Sequence, residues 1–352
     1  MNPEIVAELG ASHCGNIDKA HALIGAAKQA GADAVKFQCW SPGSMCLDPE
    51  YVVPDGPWAG MHLQQLYEQA WMPWDWLGEL VRHCDSLDLP WFSSVYDAWA
   101  LAFLEQLGCP RYKIASFELT DLELLRTVAS THKPMVLSTG MADYAEIAQA
   151  LRTVRYWING SATLLHCVSA YPCQPKDAAL HRMDILAEQY RGRVTIGLSD
   201  HSDGWLIPVL ATARGARMIE KHLMLDQNGN LDASFALDPE SFAFMVRRVR
   251  EAVAALGEPD VSQVQASSAS LRRSLYVAQD ASPGDSVVGK VRSARPAEGL
   301  ALHWWPKIQD MRFIGHVKAG TPLKMDMLTL SPLPCWHLPR SSLRGALGSG
   351  GV

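Results

Sequence analysis

The chain has no run of apolar residues approaching the roughly 20 needed to span a bilayer. No basic cluster interleaved with aromatics occurs, and the net charge of −6 argues against a general nucleic-acid binder. The eight cysteines form no Cys-x-x-Cys pair, which removes a zinc knuckle and a dithiol redox motif. They are expected to be reduced packing thiols of a cytoplasmic protein. The start of the chain runs straight into Glu4-Ile5-Val6-Ala7-Glu8, without the charged-then-apolar pattern of a secretion signal, so none is expected. Four chemical signatures are also missing: GxxxxGK[ST], HExxH, a strand-linked GxGxxG and GxSxG. Their absence sets aside P-loop nucleotide hydrolysis, zincin proteolysis, dinucleotide binding and nucleophile-elbow hydrolysis.

What is present is a large apolar fraction, 48% of 352 residues, enough for a full core. Short β-branched or apolar runs recur at 4–8, 33–37, 90–94, 111–115, 134–138, 163–167, 194–198 and 218–221, with amphipathic stretches between them. Eight strands alternating with helices predict an α/β fold, a (β/α)₈ TIM barrel over residues 1–256. After the first run, Ala20, Leu23, Ile24 and Ala27 share one helical face, and Gly31 is placed to end that helix. The segment 40–72 is too long for an ordinary strand–helix loop, and its aromatics (Trp40, Tyr51, Trp58, Tyr67, Trp71) point to an ordered lid or a partner contact. Residues 257–271 turn small and polar and read as a linker. Residues 272–332 read as a small domain with turns such as Ser282-Pro283-Gly284-Asp285, and 333–352 as a loose tail.

A barrel of this kind works at the C-terminal ends of its strands. Polar residues collect there: Glu8, Lys36 and Gln38, then Lys113, Ser116 and Glu118, then Ser138, Ser169 and Tyr171, Ser199 and His201, and Glu220 and His222. His201 and His222 lie on neighbouring strands, which run about 4.8 Å apart, so they can share a divalent ion while leaving positions open to substrate and water. A lone strand-end histidine is more often a hydrogen-bonded structural residue. Lys36 and Lys113 sit inside apolar runs and each needs an anion. That anion is a carboxylate such as Glu8 or Glu118, a substrate phosphate, or neither if a lysine forms a Schiff base. Ser138-Thr139-Gly140 is placed to open a helix and offer N–H groups to an anion. Glu8, Glu118 and Asp232 remain for proton transfer or sugar hydroxyls.

Six ordered motifs then resemble one family. Ala7-Glu8-Leu9-Gly10 with His13 and Gly15, Gly31-Ala32-Asp33-Ala34-Val35-Lys36-Phe37-Gln38, Tyr112-Lys113-Ile114-Ala115-Ser116-Phe117-Glu118, Leu137-Ser138-Thr139-Gly140-Met141, Gly197-Leu198-Ser199-Asp200-His201 and Ile219-Glu220-Lys221-His222 are similar to those of sialic acid (nonulosonic acid) synthases. Arg272-Arg273-Ser274-Leu275 and Arg295-Pro296 with Gly299-Leu300 resemble their C-terminal antifreeze-like (SAF) domain. Ser12, Val95-Tyr96 and Ala297 depart from the family's usual Asn, Pro-Phe and Gly.

The resemblance implies condensation of phosphoenolpyruvate (PEP) with an open-chain N-acetylated amino sugar, with a divalent metal, Mn²⁺ before Mg²⁺ or Co²⁺, as Lewis acid. It implies His201 and His222 as metal ligands, and Lys36, Lys113, Ser116, Ser138, Ser169 and Ser199 as the PEP set. Glu8, Gln38, Glu118, Tyr171 and Asp232 would face the sugar, Glu8 also moving a proton. Arg295 would reach the partner's sugar site in a swapped homodimer. The stretch Gly56-Pro57-Trp58-Ala59-Gly60 through Trp76, with Phe92-Ser93-Ser94 and Ser169-Ala170-Tyr171-Pro172, is similar to the members that make pseudaminic acid. Members that make N-acetylneuraminic or legionaminic acid are the sibling expectation. A pyruvate aldolase on the same barrel is a more distant one.

Overall fold

The computed structural model describes residues 2–155, 162–258 and 260–330. The chain divides into two units, Met1–Gly257 and Glu258–Val352.

In the first unit eight parallel strands close into a barrel in sequence order: β1 (Glu4–Glu8), β2 (Ala34–Cys39), β3 (Trp91–Val95), β4 (Tyr112–Ile114), β5 (Met135–Ser138), β6 (Ala162–Cys167), β7 (Thr195–Asp200) and β8 (Met218–His222). The strands are buried on both faces, which is why they read as apolar runs rather than as alternating ones. The first helix, Ile17–Gln29, starts where Asn16 accepts hydrogen bonds from the Asp18 and Lys19 amides. It buries Ala20, Leu23, Ile24 and Ala27, and the chain leaves it through Gly31 at a φ of +87°. Full burial of Leu23 and Ile24 contributes roughly 1.5–3 kcal/mol each relative to exposure.

Register brings the chemistry together. Glu8 lies opposite both Lys36 and His222, Ser94 opposite Lys113, and Ser199 opposite Glu220. One sequence expectation fails here. Ser138-Thr139-Gly140 does not open a helix. The helix after β5 begins at Tyr144, under a capping box of Asp143 and Glu146. The amides of Thr139 and Gly140 are already taken, by the Leu165 carbonyl and the Ser116 hydroxyl.

The segment 40–72 is ordered, with short helices at Pro42–Met45 and Leu63–Ala70. Between them a hairpin-like loop is closed by the Val52–His62 bridge and by hydrogen bonds between Val53 and both Gly60 and Met61.

In the second unit β9 (Ser274–Val277) pairs antiparallel with β10 (Val291–Ala294), and β11 (Met311–Phe313) with β12 (Leu328–Leu330). Leu275, Val277, Val287, Ile308, Phe313 and Leu323 form its core. The predicted turn at Ser282–Asp285 forms, with Gly284 at a φ of +88°. The linker expected over 257–271 contains a helix, Val261–Ala269, because Asp260 caps the Ser262 and Gln263 amides. The tail expected over 333–352 lies outside the described residues. Among the described residues no helix is long and apolar enough to cross a membrane.

Candidate active site

The C-terminal ends of the barrel strands open into a cavity of about 780 Å³, shared by β-strand ends, the 40–72 segment and the loop after β8. Lys36, Gln38, Lys113, Ser116, Glu118, Ser138, Ser169, Tyr171, Ser199, His201, His222 and Asp232 all line it, as the sequence led one to expect.

Glu8 does not. It is fully buried behind Lys36 and Gln38, where its carboxylate pairs with the Lys36 ammonium and accepts from Gln38 Nε2 at 2.7 Å and the Gly10 amide at 3.0 Å. In the free chain these contacts tie Glu8 to Lys36, Gln38 and Gly10, and it does not itself line the cavity. Arg295 belongs to the second unit, exposed at the end of β10.

Two buried ammonium groups dominate the electrostatics. Lys36 donates to Ser94 Oγ at 2.8 Å in addition to its pairing with Glu8. Lys113 finds Glu220 at 3.6 Å, not the Glu118 that the sequence suggested, and Glu220 also stands 3.9 Å from Lys36. Burial alone would raise the Glu220 carboxyl, but Lys113 and Lys36 outweigh it and hold it down at about 2. Ser199 Oγ donates to Glu220 at 3.1 Å. Ser138 Oγ and Glu220 Oε2 are buried with no hydrogen-bond partner, so polar atoms of a ligand are wanted here. Gly140 is required by the same crowding, since a Cβ there would lie 2.2 Å from Ser169 Oγ and 2.7 Å from Ser116 Oγ.

The two imidazoles stand with ring centroids 5.5 Å apart. His222 Nδ1 bonds Asp232 Oδ2 at 3.0 Å, and His201 Nδ1 bonds the Val168 carbonyl at 3.2 Å. Each ring thus has Nδ1 anchored and Nε2 left for a ligand, the arrangement that fixes the tautomer of a metal-binding histidine. Asp232 also accepts from the Ala11 amide at 3.0 Å. Its acidic oxygen therefore orients a histidine, a task that the sugar-facing expectation did not foresee. Ser12 exchanges hydrogen bonds with Asn230, whose Oδ1 in turn accepts from the Asp232 amide at 2.9 Å. Gly10, at a φ of +46°, makes room, because a Cβ there would come 2.1 Å from Asp232 Oδ2. Among the described residues no group of three or more His, Cys, Asp or Glu is disposed to hold a metal ion.

Glu118 stands apart from the lysines. Burial pushes its carboxyl up to about 7 against the pull of Lys113, and its Oε2 is buried without a partner. Three residues were named in the sequence but not given their roles in the site. Glu220 was visible only as a strand-end acid. Its alternation with Lys221 places it on the His222 face, which was the usable signal. For Ser94 and Trp58 the motifs carried no signal of their contacts, because their partners lie far away in sequence.

A family model described as the NeuB family matches residues 23–260. The chain is 38% identical over 333 residues to the pseudaminic acid synthase of Helicobacter pylori, covering 92% of this chain and 97% of that one. It is 32% identical over 339 residues to the N,N'-diacetyllegionaminic acid synthase of Legionella pneumophila, covering 91% and 92%. The crystal structure of the spore coat polysaccharide biosynthesis protein SpsE from Bacillus subtilis superposes with a TM-score of 0.64 at 28% identity, covering 94% of this chain and 96% of that one. With its closed eight-stranded barrel, its paired lysines and its anchored histidines, the chain belongs to the NeuB family.

Proposed function

We propose that this protein is a pseudaminic acid synthase. It condenses PEP with 2,4-diacetamido-2,4,6-trideoxy-altropyranose and water, giving a nonulosonic acid and phosphate. The observation that carries the reading is the convergence of two buried ammonium groups and two Nδ1-anchored imidazoles on one cavity, in a chain 38% identical to an enzyme of that name.

Lys36 and Lys113 hold the PEP phosphate and carboxylate as charge clamps, with Ser116, Ser138, Ser169 and Ser199 offering neutral donors. At Lys36 the Glu220 and Glu8 carboxylates outweigh burial and raise the ammonium, which favours a charge clamp over a Schiff base there, whereas burial lowers Lys113 against the pull of Glu220. His201 and His222 would hold a divalent ion, Mn²⁺ before Mg²⁺ or Co²⁺. Bound there, that ion supplies Lewis-acid activation of the sugar aldehyde. The clamps orient PEP so that its C3 forms the new bond to the aldehyde carbon. Water adds at C2, and phosphate leaves by C–O cleavage. Glu220 lies beside both clamps, 3.9 Å from Lys36 and 3.6 Å from Lys113. Gln38, Glu118, Tyr171 and Asp232 border the space left for the sugar. The second unit serves as the antifreeze-like domain, with Arg295 reaching the sugar site of the partner copy in a homodimer. We place the enzyme in the cytoplasm, where PEP is made.

The test is phosphate release from PEP with Mn²⁺ and each of three sugars: the altrose derivative, the legionaminic precursor and N-acetylmannosamine. The expected result is turnover of the altrose derivative, with a product mass equal to the sum of sugar and pyruvate. Turnover of N-acetylmannosamine alone would refute the assignment.

A further inference from the structure

Trp58 sits at the tip of the hairpin-like loop, half-buried while residues 54–57, 59 and 60 around it are exposed. Its indole Nε1–H donates to the Leu231 carbonyl at 2.9 Å, next to the Asp232 that anchors His222. Its ring packs on Tyr171 at 5.4 Å and on Phe235 at 6.1 Å. Those two rings in turn touch the imidazoles, Tyr171 at 4.2 Å from His201 and Phe235 at 4.8 Å from His222. The only polar atom of Trp58 is therefore consumed, and what it offers the cavity is an apolar ring, one ring removed from the histidines.

We infer that Trp58 is a specificity-determining residue that packs against the 4-acetamido methyl of the sugar. This rests on the proposed function, which places the aldehyde carbon at His201 and His222. The 2-acetamido group, next to the aldehyde, is common to the competing amino sugars and falls beside Tyr171 and Phe235. C4 lies three bonds of about 1.5 Å from the aldehyde carbon, two beyond C2, and its acetamido arm extends further, toward the Trp58 ring that packs beyond Tyr171. A methyl is stabilised against that face. A 4-hydroxyl offers that face no methyl to pack and finds the one polar group of the Trp58 side chain already donating to Leu231.

The experiment compares kcat/KM for the 2,4-diacetamido sugar with that for the same sugar carrying a 4-hydroxyl, in the wild type, Trp58→Ala and Trp58→Phe, at saturating Mn²⁺. The wild type is expected to prefer the diacetamido sugar. Trp58→Ala should cut that preference by roughly 10–100-fold while the KM for PEP stays put. Trp58→Phe, which keeps a ring, should retain most of the preference. If Trp58→Ala slows both sugars equally, or shifts the KM for PEP as much as that for the sugar, the ring is only structural and the inference is wrong. A wild type that turns over N-acetylmannosamine alone would overturn the proposed function, and this assignment with it. A wild type that selects the diacetamido sugar while Trp58→Ala selects it equally well overturns this assignment alone.

Discussion

Gly10→Ala perturbs the support of one histidine while substituting no residue that itself lines the cavity. Two costs arise, and they can be separated. The first is backbone strain: at a φ of +46° an L-residue is disfavoured by roughly 1–2 kcal/mol. The second is steric, because the new methyl would sit 2.1 Å from Asp232 Oδ2 and 2.9 Å from His222 Nδ1. No side-chain carbon tolerates such distances, so Asp232 must leave His222. Loss of a carboxylate that orients a metal-binding histidine costs about 10–100-fold in metal affinity, or about 1.4–2.7 kcal/mol. Gly15→Ala is the control, since Gly15 has a φ of +65° but nothing within 4 Å of its built Cβ. Both variants should melt a few degrees below the wild type when metal-free. Only Gly10→Ala should weaken Mn²⁺ binding, measured by calorimetric titration into stripped protein. Equal Mn²⁺ affinities in the two variants would refute the role given to Asp232.

Other outcomes follow from the same geometry. His201→Ala should abolish stoichiometric Mn²⁺ binding while leaving the far-ultraviolet circular dichroism unchanged, because the ring lines the cavity instead of filling the core; retained one-to-one binding would contradict it. Glu118, raised by burial to about 7, keeps its proton in the folded chain where the unfolded chain has already lost it, so its stabilising contribution is present below about 4.5 and is lost as pH rises through 7. Glu118→Gln should therefore gain melting temperature over the wild type at pH 8 and not at pH 4.5; equal differences at both pH values would argue against the shift. Asp143→Ala removes the cap from the helix after β5 and should cost about 0.5–2 kcal/mol in urea unfolding, with the KM values unaffected.

The barrel was legible because its strands, covered on both faces, are short apolar runs, and because Ala20, Leu23, Ile24 and Ala27 keep helical spacing. The site was legible as a set, since barrel topology puts every strand end at one mouth. Its internal pairings were not. Lys113 has Glu118 nearby in sequence, yet register delivers Glu220, from four strands away in the chain. The run Glu220-Lys221-His222 shows how alternation sorts charges. Glu220 and His222 point into the mouth, while Lys221 turns the other way, to a buried contact with Asp200 at 2.8 Å. Ser199 and His201 flank that Asp200 with the same alternation on β7 and just beyond it. Trp58 met Leu231 across 173 residues, a pairing that no local pattern encodes. Asp260 was a readable cap, but the small polar composition after it masked the helix it starts.

The lysines do not make a simple positive well. Before any ligand arrives, the two ammonium groups face two carboxylates, so net charge alone does not draw in a phosphate ester. Distance separates the roles of those carboxylates. Glu8 is in direct contact with Lys36, and Ser94 takes a second of its three donors, which leaves one. Glu220 stands 3.9 Å from Lys36 and 3.6 Å from Lys113, beyond hydrogen-bonding range, so it neutralises both without occupying their protons. Glu8 thus aims a lysine, while Glu220 favours the charged form of both buried amines, overcoming burial at Lys36 but not at Lys113, and leaves them open to incoming oxygens. A phosphate entering this space gains the free donors but meets the Glu220 charge, and the arrangement becomes favourable when a cation stands at the histidines on the other side. On the proposed function, an anion at the lysines and a cation at the histidines share this one acidic neighbour, and whatever one does to the affinity of the other is returned by the same factor.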